Sequence, residues 1–195
     1  MSEVVHRFTR RVPVWRPRVR PVSLDEATAE QREALKITPS NTKVSDYVLV
    51  LAHDPESLAV RSPLFNAIMY DKGGLGRADR EIGAIGASIV NRCIYCAAVH
   101  ADRHAQLAKS DAIISEIFAK GQEAKLPPRE QAIFDFAIKL AQCPPKAKAE
   151  DMARLREAGL NEEEILDLVL STALFGWANR LMHVLGDPVR SSSDA

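Results

Sequence analysis

The sequence predicts an all-α fold, and three observations carry that expectation. Helix-opening signals recur along the chain, at Ser23 with Glu26, Asp54-Pro55, Ser110-Asp111, Pro127-Pro128 and Asn161 with Glu164, and Gly73-Gly74, Pro144-Pro145 and Gly159 supply stops. Between these signals the apolar residues fall at three- and four-residue spacing, as one face of a helix requires. No hairpin turn signal and no sustained period-two alternation interrupts them. A chain of 195 residues, 46% hydrophobic and 27% charged, is enough for one domain with a sizeable core.

Residues 1–22 read as an extended basic arm. Arg7, Arg10, Arg11, Arg16, Arg18 and Arg20 face a single acid, Glu3, and Pro13, Pro17 and Pro21 keep the tract from a regular helix. Such an arm can lie on the protein's own surface or on a neighbouring subunit, with Val12, Val14 and Trp15 as its apolar contacts; a nucleic-acid arm or a transit peptide is the alternative.

The helical domain is expected over 23–187, with a disordered tail at 188–195. Ser23 opens a helix to about Lys36, Pro39 to Thr42 is a break, and a second helical stretch runs to about Leu51. The helix from Asp54-Pro55 carries Leu58, Leu64, Phe65, Ile68 and Met69. The next, about 78–91, turns Ile82, Ile85, Ile89 and Val90 inward, and its Gly83, Gly86 and Ala87 permit close helix–helix approach. Further helices run from the Cys93 region to about Lys109, from Ser110-Asp111 through Phe118, from Pro127-Pro128 through Leu140, over 148–158 with Gly159 closing, and from Asn161 to about Leu185. A faint internal repeat at an offset of 51 residues pairs Leu75, Asp79, Ile82, Ile85 and Ile89 with Leu126, Glu130, Ile133, Phe136 and Leu140.

Lys plus Arg equals Asp plus Glu, at 26 each, so the formal charge is zero and gives no general reason to expect nucleic-acid or membrane-surface binding. Little self-repulsion suits a homo-oligomer. Three cysteines do not make a secreted disulfide scaffold. No signal-like apolar stretch and no membrane-spanning window is evident, so a soluble, reducing, cytoplasmic setting is expected.

The chemistry concentrates in Cys93, Cys96 and His100, a Cys-x-x-Cys-x-x-x-His run, with Glu81 twelve residues before Cys93. On one helix the three share a face, and Cys96 and His100 form an i, i+4 pair, close enough for the imidazole to take a thiol proton. Both cysteines fall in a first helical turn, where the dipole and free N–H groups favour thiolate and can lower the pKa from about 8.5 to roughly 3.5–7.5. Glu81 cannot reach Cys93 along one straight helix, since twelve residues span about 18 Å. A chain reversal near Asn91-Arg92 would instead set it opposite His100, giving a relay from Glu81 to His100 to Cys96.

Two thiols so spaced can close a disulfide, divide nucleophile and resolving roles, or bind a soft metal. A zinc site could add His100 and His104 to the cysteines, but ligands on one continuous helix lie in a line and cannot surround the ion. Inert buried thiols and a non-enzymatic redox sensor are the other readings. His104 reads as a surface or interface histidine, and Cys143 as a small buried hydrophobe. The Phe175, Trp177 and Leu181 cluster reads as core or interface packing rather than a substrate pocket. Arg180, His183, His53 and His6 are assigned no role.

The spacing Glu81, Cys93, Cys96, His100 resembles the signature of the alkylhydroperoxidase AhpD-like family, in the carboxymuconolactone decarboxylase superfamily. Leu51 to Glu56, Leu75 to His100, Leu126 to Gln142 and Leu155 to Arg180 are similar to its peroxidase-related branch, so the resemblance covers about 35–187. It implies an AhpD-like multi-helix bundle and a thiol-dependent peroxidase. In that enzyme Cys96 reacts with the hydroperoxide, Cys93 is its disulfide partner, and Glu81 and His100 relay protons. It also implies an external dithiol reductant of lipoyl type, trimers or hexamers, and no haem, flavin or metal cofactor. Founding members have a histidine between the cysteines where this chain has Tyr95, a phenol of pKa about 10. The decarboxylase branch acts on a lactone acid without this thiol pair.

Overall fold

A computed structural model describes residues 3–38 and 43–191. The expected break at Pro39–Thr42 and the last four residues of the expected tail lie outside the described residues. Within them the chain forms nine α-helices: α1 (Ala29–Ala34), α2 (Asp46–Leu51), α3 (Pro55–Tyr70), α4 (Arg77–Val90), α5 (Ile94–Ala108), α6 (Ala112–Lys120), α7 (Pro128–Ala141), α8 (Ala149–Glu157) and α9 (Glu162–Leu185). The fold is all-α in character, and every helix expected from α2 onward is present.

α4 is the hub, packed against α5, α7 and α9. Ile82, Ile85 and Ile89 carry its apolar stripe into a core shared with Ile133, Phe134 and Phe136 of α7 and Leu168 of α9. The two glycines set how closely these helices meet. A Cβ on Gly86 would lie 2.6 Å from the Ala137 Cβ, and one on Gly83 would lie 2.9 Å from the Thr172 hydroxyl, so no larger residue fits either crossing unshifted. α4 and α7 have the same length at an offset of 51 residues; a likeness between two helices does not establish a repeat, and the pseudo-repeat is not confirmed.

Four expectations change. The first helix is short, and its cap is Thr28, whose hydroxyl accepts from Gln31 N while Gln31 returns a bond to the Thr28 amide. Ser23 and Glu26 form only a turn, with Glu26 N donating to Ser23 O at 3.1 Å. Secondly, a small antiparallel ribbon exists: β1 (Val14–Pro17) pairs with β2 (Gly186–Val189), Trp15 opposite Pro188. Thirdly, Pro188 and Val189 therefore belong to this ribbon rather than to a disordered tail, and Val189 is buried. Fourthly, α9 is long and apolar enough to cross a membrane by length and composition, with mean hydropathy 1.2 in its best window. Half of that window is buried inside the fold, where Ile165, Leu168, Phe175 and Ala178 are core residues.

The arm lies on the protein's own surface, held at Trp15. That indole is buried, donates Nε1–H to Met182 O at 3.3 Å and meets Tyr47 edge-on. Val12 and Val14, expected as further apolar contacts, are exposed. Arg18 pairs with Asp187 of β2 at 2.5 Å and donates to the carbonyl of Val184 at 3.1 Å, so this arginine of the arm ties it to the end of α9.

Candidate active site

The site is built by a three-residue reversal between α4 and α5. Asn91 closes α4, Arg92 takes a left-handed conformation at φ 54°, and Cys93 is the extended N-cap of α5, its amide donating to Ser88 O at 2.9 Å. The two helices then run antiparallel. Glu81 on α4 and His100 on α5 meet, the imidazole Nδ1 bonded to Glu81 Oε2.

Glu81 is fully buried and takes a second partner that sequence reasoning missed. Arg77, four residues earlier on α4, directs Nε to Glu81 Oε1 at 2.9 Å and brings Nη2 to the same oxygen. Its guanidinium stacks on Tyr70, 3.8 Å from the ring centroid. The i, i+4 spacing of Arg77 and Glu81 was the available signal. Burial alone would push the Glu81 carboxyl up, but His100 and Arg77 together hold it below its ordinary value. Burial is also the largest influence on His100 and lowers it, against the pull of Glu81. The pair is thus a carboxylate beside a neutral imidazole. A carboxylate can only accept, so the imidazole proton sits on Nδ1 and Nε2 keeps its lone pair. Phe175 lies against the imidazole, ring centroids 4.0 Å apart.

Cys93 and Cys96 are free, buried thiols in the first turn of α5. They behave as one unit. The Cys96 thiol is the largest influence drawing Cys93 below its ordinary value, helped by the Cys96 amide and Asn179 against the cost of burial. Cys96 itself is pushed well above the ordinary thiol range, first by burial and then by its hydrogen bond with the Cys93 thiol and the charge there. The expectation that the helix terminus lowers both thiols is therefore corrected: Cys93 is drawn down, while Cys96 is pushed up. No hydrogen bond joins His100 to either thiol among the described residues.

Asn179 of α9 is the other residue missed from sequence. Fully buried, it donates Nδ2–H to Ser88 Oγ at 3.2 Å and accepts from Asn91 Nδ2 at 3.2 Å, which fixes its amide beside the dithiol. A lone Asn inside an apolar helix face carries no spacing signal, so only the fold could reveal it.

Two cavities approach the dithiol from different sides. One, of about 310 Å³, is lined by Cys96, His100, Tyr47, Arg61, Phe65 and Phe175. The other, of about 400 Å³, is lined by Cys93, Arg92, Trp15, His183 and Pro188, and the N-terminal arm forms one of its walls. Tyr95 borders both, and burial raises its phenol above the ordinary value, so it is a hydroxyl rather than a base.

Several secondary expectations change. His104 is buried, its Nδ1 without a partner among the described residues and its pKa lowered chiefly by burial, rather than a surface residue. Cys143 is exposed, not a buried hydrophobe. Phe175 is core and cavity wall at once, whereas Trp177 is half exposed. His183 Nε2 bonds Asn91 O at 2.8 Å and His53 Nε2 bonds Arg20 O at 2.9 Å, so both hold chain segments together. Among the described residues, no three His, Cys, Asp or Glu side chains are grouped so as to hold a metal ion.

Comparison with known proteins places this geometry. Residues 55–139, which hold Glu81, both motif cysteines and His100, match the Carboxymuconolactone decarboxylase family. The structure is similar to an uncharacterized peroxidase-related protein with an alkylhydroperoxidase AhpD core from Ralstonia eutropha JMP134, at 27% identity and TM-score 0.72, covering 89% of this chain and 90% of that one. A peroxidase-related protein from Silicibacter sp. TM1040 has the same fold at 23% identity and TM-score 0.70, over 85% of this chain and 90% of its own. The debrominase Bmp8 also shares the fold, at 17% identity and TM-score 0.73, over 90% of this chain and 93% of its own. No curated protein matches the chain.

Proposed function

We propose that this chain is a thiol-dependent peroxidase of the AhpD-like kind, a reading supported by the match of residues 55–139 to the Carboxymuconolactone decarboxylase family and by the likeness to a protein with an AhpD core. The observation that carries this reading is the buried Cys93–Cys96 pair, with Cys96 at the wall of a cavity that His100, itself fixed by Glu81, also lines. The fold alone does not choose peroxide as substrate, because a debrominase shares it.

In this mechanism a hydroperoxide enters the cavity at Cys96. The proton of the Cys96 thiol passes to the Cys93 thiolate or to His100 Nε2, and the Cys96 sulfur attacks the outer peroxide oxygen. The S–O bond forms as the O–O bond breaks, the alkoxide takes a proton to leave as an alcohol, and Cys96 becomes a sulfenic acid. Cys93 then attacks the Cys96 sulfur, the disulfide forms and water departs. An external dithiol, of lipoyl type in this reading, attacks Cys93 from the second cavity and is itself oxidised as both thiols return. No metal, haem or flavin takes part, and a reducing cytoplasmic setting supplies the thiol pool.

Peroxide consumption with dithiothreitol as reductant tests the roles. Cys96→Ser abolishes turnover. Cys93→Ser leaves one oxidation, to a sulfenic acid trapped by a dimedone-type reagent, but stops recycling. Full turnover by Cys96→Ser would refute the assignment. A protein that oxidises once and is not recycled by any dithiol would be a sensor instead.

A homo-oligomer, trimer or hexamer, belongs to the same reading. Val60, Leu64 and Trp177 are exposed around a groove of about 750 Å³ that continues to Leu51 and Leu174, a face that a second copy would cover.

A further inference from the structure

We propose that Arg61 is a carboxylate-binding residue of the active-site cavity, and that the hydroperoxide reduced here carries a carboxylate on a compact apolar body. The binding site stands on the geometry alone; the substrate assignment rests on the peroxidase reading above.

Arg61 projects from α3 and is only 7% exposed, yet no carboxylate pairs with it among the described residues. Its guanidinium lies over Phe65, 3.9 Å from the ring centroid, with Tyr47 at 5.3 Å. Stacking engages the face of the group and leaves its in-plane N–H donors free. Among the described residues Nε and Nη1 have no hydrogen-bond partner, and the Tyr47 hydroxyl, near enough to oppose the effect of burial on Arg61, has none in bonding geometry. A buried cation with idle donors is costly, and a site that recognises a ligand is one reason for a fold to keep it. Burial also draws the Arg61 pKa below its ordinary value against the opposing influence of Tyr47, while it pushes Tyr47 up to about 12, so that phenol remains a neutral donor.

The rest of the cavity suits an organic anion. Lys43 and Arg103 add positive charge, and no aspartate or glutamate lines its wall among the described residues. Phe65, Tyr70, Tyr95 and Phe175 supply apolar surface, and about 310 Å³ admits a small ring-bearing acid rather than a long chain. A carboxylate matches the guanidinium fork in two parallel bonds, which a neutral ester or amide cannot reproduce. With its acid end at Arg61, such a substrate lies within the cavity that Cys96 and His100 also line.

Two measurements separate the site from the substrate. Calorimetric titration of the reduced protein with 4-isopropylbenzoate and with 4-isopropylbenzamide involves no redox step. The acid should bind about tenfold more tightly than the amide, and Arg61→Gln should bring the ratio close to one. Equal binding by the wild-type protein overturns the site, and that comparison needs no variant to fold. Para-carboxylated cumene hydroperoxide and its methyl ester are then compared as oxidants with dithiothreitol as reductant. The acid should show about tenfold higher kcat/KM. Equal kcat/KM overturns the substrate assignment and leaves the peroxidase reading intact, whereas Cys93 and Cys96 left unoxidised by either compound overturns the peroxidase reading and the substrate assignment together.

Discussion

Asn179, Glu81 and His100 are three buried polar side chains with different duties around one dithiol. Asn179 helps the first thiol proton leave, so Asn179→Leu should raise the pH at which the reduced pair is alkylated by iodoacetamide, with the helical circular dichroism retained. His100 works through its free Nε2, which depends on Nδ1 being tied to the carboxylate of Glu81. Glu81→Gln keeps the shape but can present an N–H to the imidazole, and a flipped tautomer removes the base. The peroxide rate should then fall by about 10²–10⁴, the usual contribution of a positioned acid–base group, while the slow oxidation expected of a bare thiolate persists. Because the pair releases its first proton below the ordinary thiol value, the acid limb of the oxidation rate should lie at lower pH than that of a free cysteine. A limb at the free-cysteine pH would mean that the Cys93 charge is not stabilised.

At the scale of elements, the α4–α5 reversal and the α4–α7 crossing hold the site. Gly86 meets Ala137 so closely that any side chain there must displace α7. Gly86→Val should cost about 1–3 kcal/mol in chemical denaturation, as overpacking in a tight core does. A variant of unchanged midpoint would show that α7 moves freely. This part of the molecule was legible in the sequence, because small residues at helical spacing and the spacing of Glu81 to His100 are both local patterns. The α1 cap is ambiguous in the sequence because Ser23 with Glu26 and Thr28 with Gln31 offer rival capping boxes five residues apart, and only the second falls where the chain continues as a helix. The ribbon leaves no signal in the sequence because β1 and β2 lie at opposite ends of the chain and each contains a proline, Pro17 and Pro188. Both strands are edges, so a proline lacking its N–H is tolerated there while it erases the usual strand signature. Arg61, Arg77 and Asn179 matter through what surrounds them, which no spacing along one helix could reveal.

Over the whole molecule, two buried imidazoles link stability to pH. His100 and His104 are both held below the ordinary histidine value by burial. The unfolded chain therefore takes up protons before the folded one, and stability present above about pH 6.5 is lost as pH falls below it. Glu81, also held low, adds a further loss in the carboxylate range. Thermal melts should show Tm falling between pH 7 and pH 5, with a smaller fall in His104→Gln if that residue carries part of the effect. The exposed apolar face at Val60, Leu64 and Trp177 should be covered in solution, and light scattering should give a trimer or hexamer that Leu64→Glu dissociates. A monomeric wild-type protein would remove the second copy from that face.

The most direct measurement is intact mass with thiol alkylation, on reduced protein before and after one equivalent of an organic hydroperoxide. A peroxidase built on the Cys93–Cys96 dithiol should lose two hydrogens, and peptide mapping should assign them to a Cys93–Cys96 disulfide that a dithiol reverses. Unchanged mass, with both cysteines still open to alkylation, would contradict it.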